Sequence, residues 1–294
     1  MESLKEYISQ KRPTLSKSSL TTYGSILKNL YKKVYGDEEY NMEKFNNTEP
    51  VLKYLEAIPP NRRKTILSAL VIITDSKSYR DLMLKDVRDY NKDINNQEKT
   101  EKQKESWVEK EEVNNIYEDL RRNADAIFKK KNRTLSDLQE IQNYIIMAVL
   151  GSVFISPRRS KDFVDFKIRN VDPDKDNFMK KNSFIFNSYK TAKTYGQQEV
   201  EIPVKLRNII NKWIKINPTE NLLFDANMNK LSSVKLNQRL NKIFGGKAVG
   251  VNQLRHTYLT DKFADTIKRE KVIKDTMEDM GSSMSMLKTY VKKD

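Results

Sequence analysis

The chain has 294 residues, of which 32% are charged and 37% hydrophobic, and its net charge at pH 7 is +15. This length accommodates two domains with separate cores, and the positive charge favours a polyanion such as nucleic acid as partner over a membrane surface. The sequence has no cysteine and one histidine, which excludes disulfides, thiolate metal sites and an all-histidine zinc site. It also lacks the run of about 18 apolar residues that a membrane-spanning helix requires.

The N-terminal region, residues 1–92, predicts a small bundle of helices without strands. The first helix is expected to begin after Ser18 or Ser19, whose hydroxyls suit an N-cap, and to end at Gly36. Apolar residues recur in it every three or four positions, the spacing of a helix with one buried face. Pro59-Pro60 stops the second helix, and the remaining helices are predicted at 51–58, 61–73 and 78–89.

A charged linker is predicted over residues 93–106. Lys, Asp, Asn, Gln and Glu dominate this segment, which has almost nothing to bury. Apolar residues return at Trp107, so the second domain is expected to cover 107–294. The segment from Met1 to Thr14 lacks the apolar stretch of a signal peptide. The absence of cysteine fits a reducing intracellular compartment.

The second domain predicts helices and one small antiparallel sheet. Its most hydrophobic helix is expected to begin at Thr134 or Ser136 and to continue through 141–155. Two strands, Phe184-Ile185-Phe186 and 200–204, predict a hairpin with Gly196 near the turn. Further helices are predicted at 205–216, 232–244, 253–264 and 267–278. The predicted fold class is mainly α, with a helical N-terminal domain and a helical second domain that carries the sheet.

A basic motif follows the predicted core helix, where Ser156-Pro157 interrupts it. Arg158 and Arg159 come next, and Asp162 lies one helical turn after Arg159, so its carboxylate is expected to hold that guanidinium in a fixed pose. Lys161 lies three residues after Arg158 and could not orient it in this way. An exposed Arg–Asp pair contributes less than about 1 kcal/mol, so the motif alone does not distinguish a functional site from a surface ion pair.

Three further elements stand in the C-terminal half of the chain. Each has a simple structural interpretation when taken alone: a hairpin lysine is usually solvated, a lone histidine is usually a partly buried core residue, and a late tyrosine usually anchors a terminal helix. The elements are the hairpin loop with Lys190 and Lys193, the helix start with Asn252, Arg255 and His256, and the C-terminal segment with Ser282 and Tyr290.

In this order the four elements resemble the sequence boxes of tyrosine recombinases, the phage-type integrase family. Arg159-x-x-Asp162 is similar to the first arginine box, and the doubled Pro-Arg-Arg resembles members carried by eukaryotic DNA viruses and mobile elements. The other similarities are Lys190-Thr191-Ala192-Lys193 to the hairpin lysine motif, Leu254-Arg255-His256 to the second arginine box, and Met280-Gly281 followed by Tyr290 to the final box. Asn252 and Ser282 depart from the pattern, because the family usually has histidine at the first position and histidine or tryptophan at the second.

The resemblance implies chemistry without a metal, ATP or another cofactor. Tyr290 would attack a DNA phosphate and form a 3′-phosphotyrosyl link, which keeps the bond energy for rejoining. Arg159 and Arg255 would bind the phosphate and stabilise the charge of the transition state. Lys190, or Lys193 in its place, would protonate the leaving 5′ oxygen.

A supporting role is implied for Asn252, His256 and Ser282. Asn252 can donate a hydrogen bond but cannot shuttle a proton near neutral pH. Removal of one transition-state donor typically slows an enzyme by about 10²–10³. The two departures from the family pattern therefore predict a slow enzyme.

Double-stranded DNA is the implied partner, bound by a homotetramer. An N-terminal core-binding domain and the catalytic domain would close around the duplex as a C-shaped clamp. Arg62, Arg63, Lys64 and Arg158 are expected to contact phosphates, and such binding weakens steeply with salt. The expected location is with DNA inside a cell, in the host nucleus or cytoplasm for a viral protein.

Two related functions remain open at this stage. A type IB topoisomerase uses the same Arg, Lys, Arg and Tyr chemistry, although viral topoisomerases begin with a β-rich domain and this chain predicts helices there. A recombinase-derived DNA-binding protein that is catalytically weak would be consistent with Asn252 and Ser282. A basic helical scaffold without a DNA role would make the four elements a coincidence.

Overall fold

The computed structural model describes residues 2–292, which form two compact units, one ending at Lys99 and the other beginning at Thr100. The described part of the first unit is helical, as predicted. Its helices are α1 (Glu2–Lys11), α2 (Lys17–Tyr35), α3 (Thr48–Glu56), α4 (Pro60–Thr74) and α5 (Lys77–Asn95), with a 3-10 helix at Met42–Asn46.

Helix α2 shows how local sequence sets these boundaries. The hydroxyl of Ser16 accepts a hydrogen bond from the backbone nitrogen of Ser19 at 3.1 Å, so the N-cap precedes the two predicted serines. Gly36 ends the helix with a φ of 72°, a conformation that favours glycine. Leu27 and Leu30 point into the core of the unit.

Helix α1 and the length of α5 differ from the prediction. Leu4 and Ile8, one helical turn apart, are buried in the core of the first unit although most residues around them are polar. Two apolar positions are too few to produce a recognisable period in the sequence. Helix α5 continues to Asn95, into the segment predicted as a linker.

The second unit combines helices with a small sheet, which confirms the predicted fold class. Its helices are α6 (Glu101–Glu105), α7 (Lys110–Phe128), α8 (Leu135–Leu150), α9 (Ser160–Val164), α10 (Ala192–Tyr195), α11 (Val204–Ile216), α12 (Ser233–Ile243), α13 (Val251–Asp279) and α14 (Leu287–Tyr290), with a 3-10 helix at Met284–Met286; its strands are β1 (Phe166–Lys167), β2 (Asn177–Lys180), β3 (Ser183–Phe186) and β4 (Gln198–Glu201). No helix formed by residues 2–292 is both long and apolar enough to span a membrane.

The sheet has the strand order β1-β2-β3-β4. Strands β3 and β4 form the predicted antiparallel hairpin, with Phe184 opposite Val200. Strand β2 pairs antiparallel with β3, whereas β1 pairs parallel with β2. The sheet is therefore mixed: the predicted antiparallel hairpin is present, and the sequence did not predict β1 or its parallel pairing. Strands as short as β1 and β2 carry too few residues to show an alternating pattern.

Four buried phenylalanines join the sheet to α9. The ring of Phe163 on α9 lies 5.9 Å from Phe184 and 5.7 Å from Phe186, measured between centroids. Phe166 lies 5.1 Å from Phe184. Their edge-to-face contacts hold α9, and with it the preceding arginine motif, against the β3–β4 hairpin.

Helix α8 begins as predicted and ends earlier. Thr134 caps it in a reciprocal capping box with Asp137. The helix ends at Leu150 instead of 155, because the chain turns so tightly at Gly151 that a Cβ atom there would lie 2.6 Å from the carbonyl oxygen of Met147. Residues 152–155 leave the helix axis and become available to a cavity.

Helix α13 replaces two predicted helices with one. It runs unbroken from Val251 to Asp279, and its buried residues concentrate in the first two turns, with Met277 near its end. Because the middle of the helix buries little, its apolar spacing is weak and the sequence predicts a break there that does not exist.

Candidate active site

A cavity of about 700 Å³ opens in the second unit between the segment that follows α8, the loop that follows β3, and the start of α13. Arg158, Arg159, Arg255 and Tyr258 contribute to its lining. The fold therefore brings together residues from the first and second predicted arginine elements, which are far apart in the sequence.

Arg159 and Arg255 are the two arginines of the cavity whose guanidiniums have no carboxylate partner among the described residues. Both side chains are half-buried. Arg255 makes one long hydrogen bond, from Nη1 to Oδ1 of Asn252 at 3.5 Å. A guanidinium in this state can donate two parallel hydrogen bonds to a carboxylate or phosphate ligand.

Asp162 pairs with Arg158 instead of Arg159. Nε of Arg158 donates to Oδ2 of Asp162 at 2.8 Å, and Nη1 donates to Oε1 of Gln198 on β4 at 3.0 Å. The Arg158 guanidinium also lies 3.9 Å from the ring centroid of Phe186. The predicted Arg159–Asp162 pairing is wrong, because Arg159 is the N-cap of α9 and Arg158, just outside the helix, folds back against the sheet.

The burial of Asp162 makes its partner indispensable. Only 2% of this residue is exposed, and burial raises the pKa of its carboxyl although the charges of Arg158 and Arg159 act in the opposite direction. Oδ1 has no hydrogen-bond partner among the described residues. Arg158 is therefore committed to neutralising this carboxylate, which leaves the Arg159 guanidinium more available to a ligand than that of Arg158; the phosphate contact of Arg158 stays a prediction.

Lys110 supports the wall of the cavity, a role that the sequence did not reveal. Its Nζ donates to the carbonyl oxygens of Gly151 and Ser152 at 3.3 and 2.9 Å and to Oγ of Ser152 at 2.8 Å. Burial lowers the pKa of Lys110, whereas Asp261 and Tyr258 act in the opposite direction. Ser152 has a φ of 57°, uncommon for a residue with a side chain. Lys110 thus holds the segment that leads to the arginine motif, and one lysine among many gives no sequence signal of this.

Tyr258 is a second residue of the cavity that the sequence analysis missed. Its Oη lies 2.8 Å from Oγ of Ser156 and accepts a hydrogen bond from Nζ of Lys262 at 3.2 Å. The hydrogen bond with Ser156, the hydrogen bond and charge of Lys262, and the charge of Lys110 lower the pKa of the phenol, against the effect of burial. Tyr258 follows Arg255 by three residues, and this helical spacing was the signal that could have found it.

Lys190 and Lys193 lie beside the cavity but do not line it. Both are exposed, whereas Tyr189 and Thr191 on either side of Lys190 contribute to the lining. Oη of Tyr189 donates to the carbonyl oxygen of Gly196 at 2.7 Å, which closes the loop. The backbone of Lys190 is thereby fixed next to the cavity while its side chain is exposed.

Tyr290 lies outside the cavity. It is the last residue of α14 and is 57% exposed, and it is absent from the lining residues. Ser282 donates its backbone N–H to the carbonyl of Met277 at 2.8 Å, in the turn that ends α13. The structure thus gathers the two predicted phosphate-binding arginines without the predicted nucleophile.

Asn252 and His256 lie at the start of α13 and are exposed. Asn252 contacts Arg255 by the 3.5 Å hydrogen bond. His256 does not line the cavity, and it is not the partly buried core residue that a lone histidine usually is. Within residues 2–292, no group of three or more acidic or histidine side chains is placed to hold a metal ion.

The predicted DNA contacts of the first unit differ in how free their side chains are to bind a phosphate. Arg63 forms a bidentate pair with the fully buried Asp86, at 2.8 and 2.7 Å, and thereby joins α4 to α5. Nζ of Lys64 lies 2.8 Å from the ring centroid of Tyr90, and burial lowers its pKa. Arg62 is exposed and has no side-chain partner among the described residues. Arg63 is committed to the fold, which leaves Arg62 as the most accessible of the three.

Comparison with solved structures finds a similarity to a lambda integrase dimer bound to a COC′ core site. The TM-score is 0.45 and the sequence identity 12%, over 91% of this chain and 73% of that chain. No protein-family model matches the chain, and the search of the curated proteins finds no match. At this TM-score and identity the similarity assigns neither a family nor an activity.

Proposed function

We propose that the protein is a site-specific DNA recombinase that cuts and rejoins DNA through a 3′-phosphotyrosyl intermediate. The observation that carries the proposal is the presence of two uncommitted guanidiniums, Arg159 and Arg255, in one cavity. Such a cavity favours an anion, and a phosphodiester can accept paired hydrogen bonds from an arginine. The net charge of +15 favours double-stranded DNA as the source of that phosphodiester.

The two arginines supply most of the catalysis in this proposal. They neutralise the phosphate, stabilise the charge that builds on the nonbridging oxygens in the pentacoordinate transition state, and lower the pKa of an approaching phenol. Tyr290 attacks phosphorus while the bond to the 5′ oxygen breaks. Lys190, or Lys193, reaches from its loop toward that oxygen. Metal and cofactor are not part of the proposal.

Asn252 would orient Arg255, and His256 and Ser282 would assist at the edge of the site. Because neither Asn252 nor Ser282 can act as a proton shuttle near neutral pH, slow turnover is expected. A member carried by a virus or mobile element, located with DNA inside its host, is the origin we propose from the Pro157-Arg158-Arg159 motif.

Tyr290 would enter the cavity on DNA binding, from its own chain or from a second copy. An apolar stripe on α13 supports self-association: Leu259, Phe263 and Ile267 follow one another at four-residue spacing and are 49%, 41% and 37% exposed. We propose a homotetramer on DNA, in which this stripe contributes to contacts between copies. Arg62 remains the proposed phosphate contact of the first unit.

A pool of nicked duplexes with randomised sequence tests the proposal. Cleavage near the nick releases a short strand with a 5′ hydroxyl, so rejoining fails and the covalent protein–DNA adduct accumulates. The wild type is expected to form an adduct, and Tyr290→Phe to bind DNA without forming one. Arg159→Ala and Arg255→Ala are expected to slow adduct formation by about 10²–10³.

Other results would assign a different function. Binding by the wild type without any adduct would leave a DNA-binding protein that lacks the proposed activity. An adduct formed by Tyr290→Phe would place the nucleophile elsewhere. Relaxation of supercoiled plasmid without a preferred site would identify a type IB topoisomerase.

A further inference from the structure

We propose that Tyr258 donates the proton that the leaving 5′ oxygen takes up during cleavage, and recovers that proton during rejoining. This inference rests on the proposed function. The Tyr258 side chain lines the same cavity as Arg159 and Arg255. Residues three apart on a helix are neighbours on its surface, so a phosphate bound by Arg255 lies next to the Tyr258 side chain.

A proton donor needs partners that stabilise its oxygen after the proton has left. Lys262 provides an ammonium 3.2 Å from Oη of Tyr258, and Oγ of Ser156 lies 2.8 Å away. Lys110 adds positive charge nearby, and the pKa of the phenol is lowered from its ordinary value. Asp261 is the acidic group close to Lys110. These surroundings favour the phenolate that proton donation produces.

The other candidates for proton donor are less well placed. Lys190 is exposed and does not line the cavity. Tyr189 lines it, but its O–H donates to the carbonyl of Gly196 at 2.7 Å. Tyr195 lines it and is 67% exposed, without a side-chain hydrogen bond among the described residues. Tyr258 is therefore the tyrosine of the cavity whose oxygen accepts a hydrogen bond from a cation, the ammonium of Lys262.

The same contacts make Tyr258 a better acid than nucleophile. A phenol oxygen has one proton and two lone pairs. Lys262 occupies one lone pair, and Ser156 occupies the other when it is the donor of their hydrogen bond. The O–H is then engaged by neither partner and can be donated in the cavity, whereas in-line attack on phosphorus requires a lone pair that neither partner occupies.

The proposed step conserves atoms and charge. In cleavage, the bond from Oη of Tyr290 to phosphorus forms, the bond from phosphorus to the 5′ oxygen breaks, and the Tyr290 proton passes to water. The 5′ oxygen takes the proton of Tyr258, whose phenolate remains bonded to Lys262. In rejoining, the phenolate removes the proton of the 5′ hydroxyl as that oxygen attacks phosphorus, and Tyr290 leaves and regains a proton from water.

Replacement of the bridging 5′ oxygen by sulfur tests the inference, because a thiolate leaves without a proton. A duplex recovered as an adduct from the randomised pool is resynthesised in oxygen and sulfur forms. Tyr258→Phe is expected to slow adduct formation on the oxygen substrate by about 10²–10⁴ and to match the wild type on the sulfur substrate. Tyr54→Phe, a matched control on α3 in the first unit, outside the cavity, is expected to match the wild type on both.

Each outcome separates this inference from the proposed function. A wild type that forms no adduct on the oxygen substrate would overturn both. Adduct formation by the wild type, with Tyr258→Phe equally fast on oxygen or equally slow on both substrates, would refute the role of Tyr258 alone. Sulfur rescue of Lys190→Ala without rescue of Tyr258→Phe would assign the acid to Lys190. Lys262→Met, which keeps the phenol, is expected to show a smaller defect that sulfur also rescues.

Discussion

The adjacent residues Arg158 and Arg159 are expected to have opposite roles, and their alanine variants test this. Arg158 is paired with Asp162, whose side chain is 3% exposed, whereas Arg159 has no carboxylate partner and lines the cavity. Arg158→Ala should therefore reduce the stability of the second unit. Arg159→Ala should cost about 1 kcal/mol of stability or less, because Arg159 forms no ion pair with Asp162, and should abolish most of the proposed cleavage.

The stability loss expected for Arg158→Ala is set by the carboxylate of Asp162, which stays buried without its partner. Breaking a buried ion pair by removing one partner costs about 3–5 kcal/mol. Protonation of Asp162 limits this loss: from its ordinary pKa of 3.8, neutralisation at about pH 7 costs roughly 4 kcal/mol, at about 1.4 kcal/mol per pH unit. Loss of the cation–π contact with Phe186 adds about 0.5–2 kcal/mol.

The loss should shrink on acidification. Burial already raises the pKa of Asp162 in the folded state, and removal of Arg158 raises it further. A carboxyl whose pKa is raised in the folded state costs no stability below its unfolded pKa, because it is protonated in both states. The free energy of unfolding falls as the pH rises through the folded-state pKa. At about pH 5 the cost of neutralising Asp162 is below roughly 2 kcal/mol, so the variant should lie closer to the wild type there.

Tryptophan fluorescence during urea unfolding measures this loss in the relevant unit. Trp107 and Trp213 are the two tryptophans of the chain, and both lie in the unit that begins at Thr100. Equal stability losses for Arg158→Ala and Arg159→Ala, or a loss for Arg158→Ala that does not change with pH, would refute the assignment of Asp162 to Arg158.

Three further predictions concern Gly151, Arg63 and Tyr258. Gly151→Ala should destabilise the second unit by about 1–3 kcal/mol in the fluorescence assay, because its Cβ atom would lie 2.6 Å from a carbonyl oxygen. Gly246→Ala is the control: Gly246 has a positive φ, so alanine is strained there, but its Cβ atom would meet no other atom. Arg63→Ala should cost about 3–5 kcal/mol by circular dichroism, since its partner is fully buried, whereas Arg62→Ala should leave stability unchanged and weaken DNA binding in a salt-dependent manner. Tyr258→Phe should remove the earliest tyrosinate absorbance in an alkaline titration, because the pKa of this phenol is lowered from 10.0; an unchanged onset would contradict the hydrogen bonding of its oxygen.

The fold class and many boundaries could be predicted because their signals are local. Caps such as Thr134 and stops such as Gly36 act within a few residues, and the apolar run Phe184-Ile185-Phe186 indicates a strand of the β3–β4 hairpin without any tertiary information. The missed elements have weak local signals. Helix α1 buries two apolar side chains, β1 has two residues, and the middle of α13 is exposed.

The candidate site could be predicted only as a set of residues. The basic elements with Arg159 and Arg255 were visible from the sequence, and the structure places both arginines in one cavity. Their partners were not visible. Asp162 lies at helical spacing from both Arg158 and Arg159, and the choice depends on Gln198 and Phe186 of the sheet, which bind the side chain of Arg158.

By itself the sequence determined the helical character of the chain, the hairpin and the supply of cations that could bind a phosphate. Only the tertiary structure decided which of two neighbouring arginines is free, that Tyr258 lines the cavity, and that Lys110 holds the segment that forms its wall. Local propensity acts between residues a few positions apart, whereas Lys110 reaches Ser152 and Tyr258 reaches Ser156 across long stretches of chain. Those contacts exist because packing of the whole core brings α7, α13 and the segment after α8 to one place.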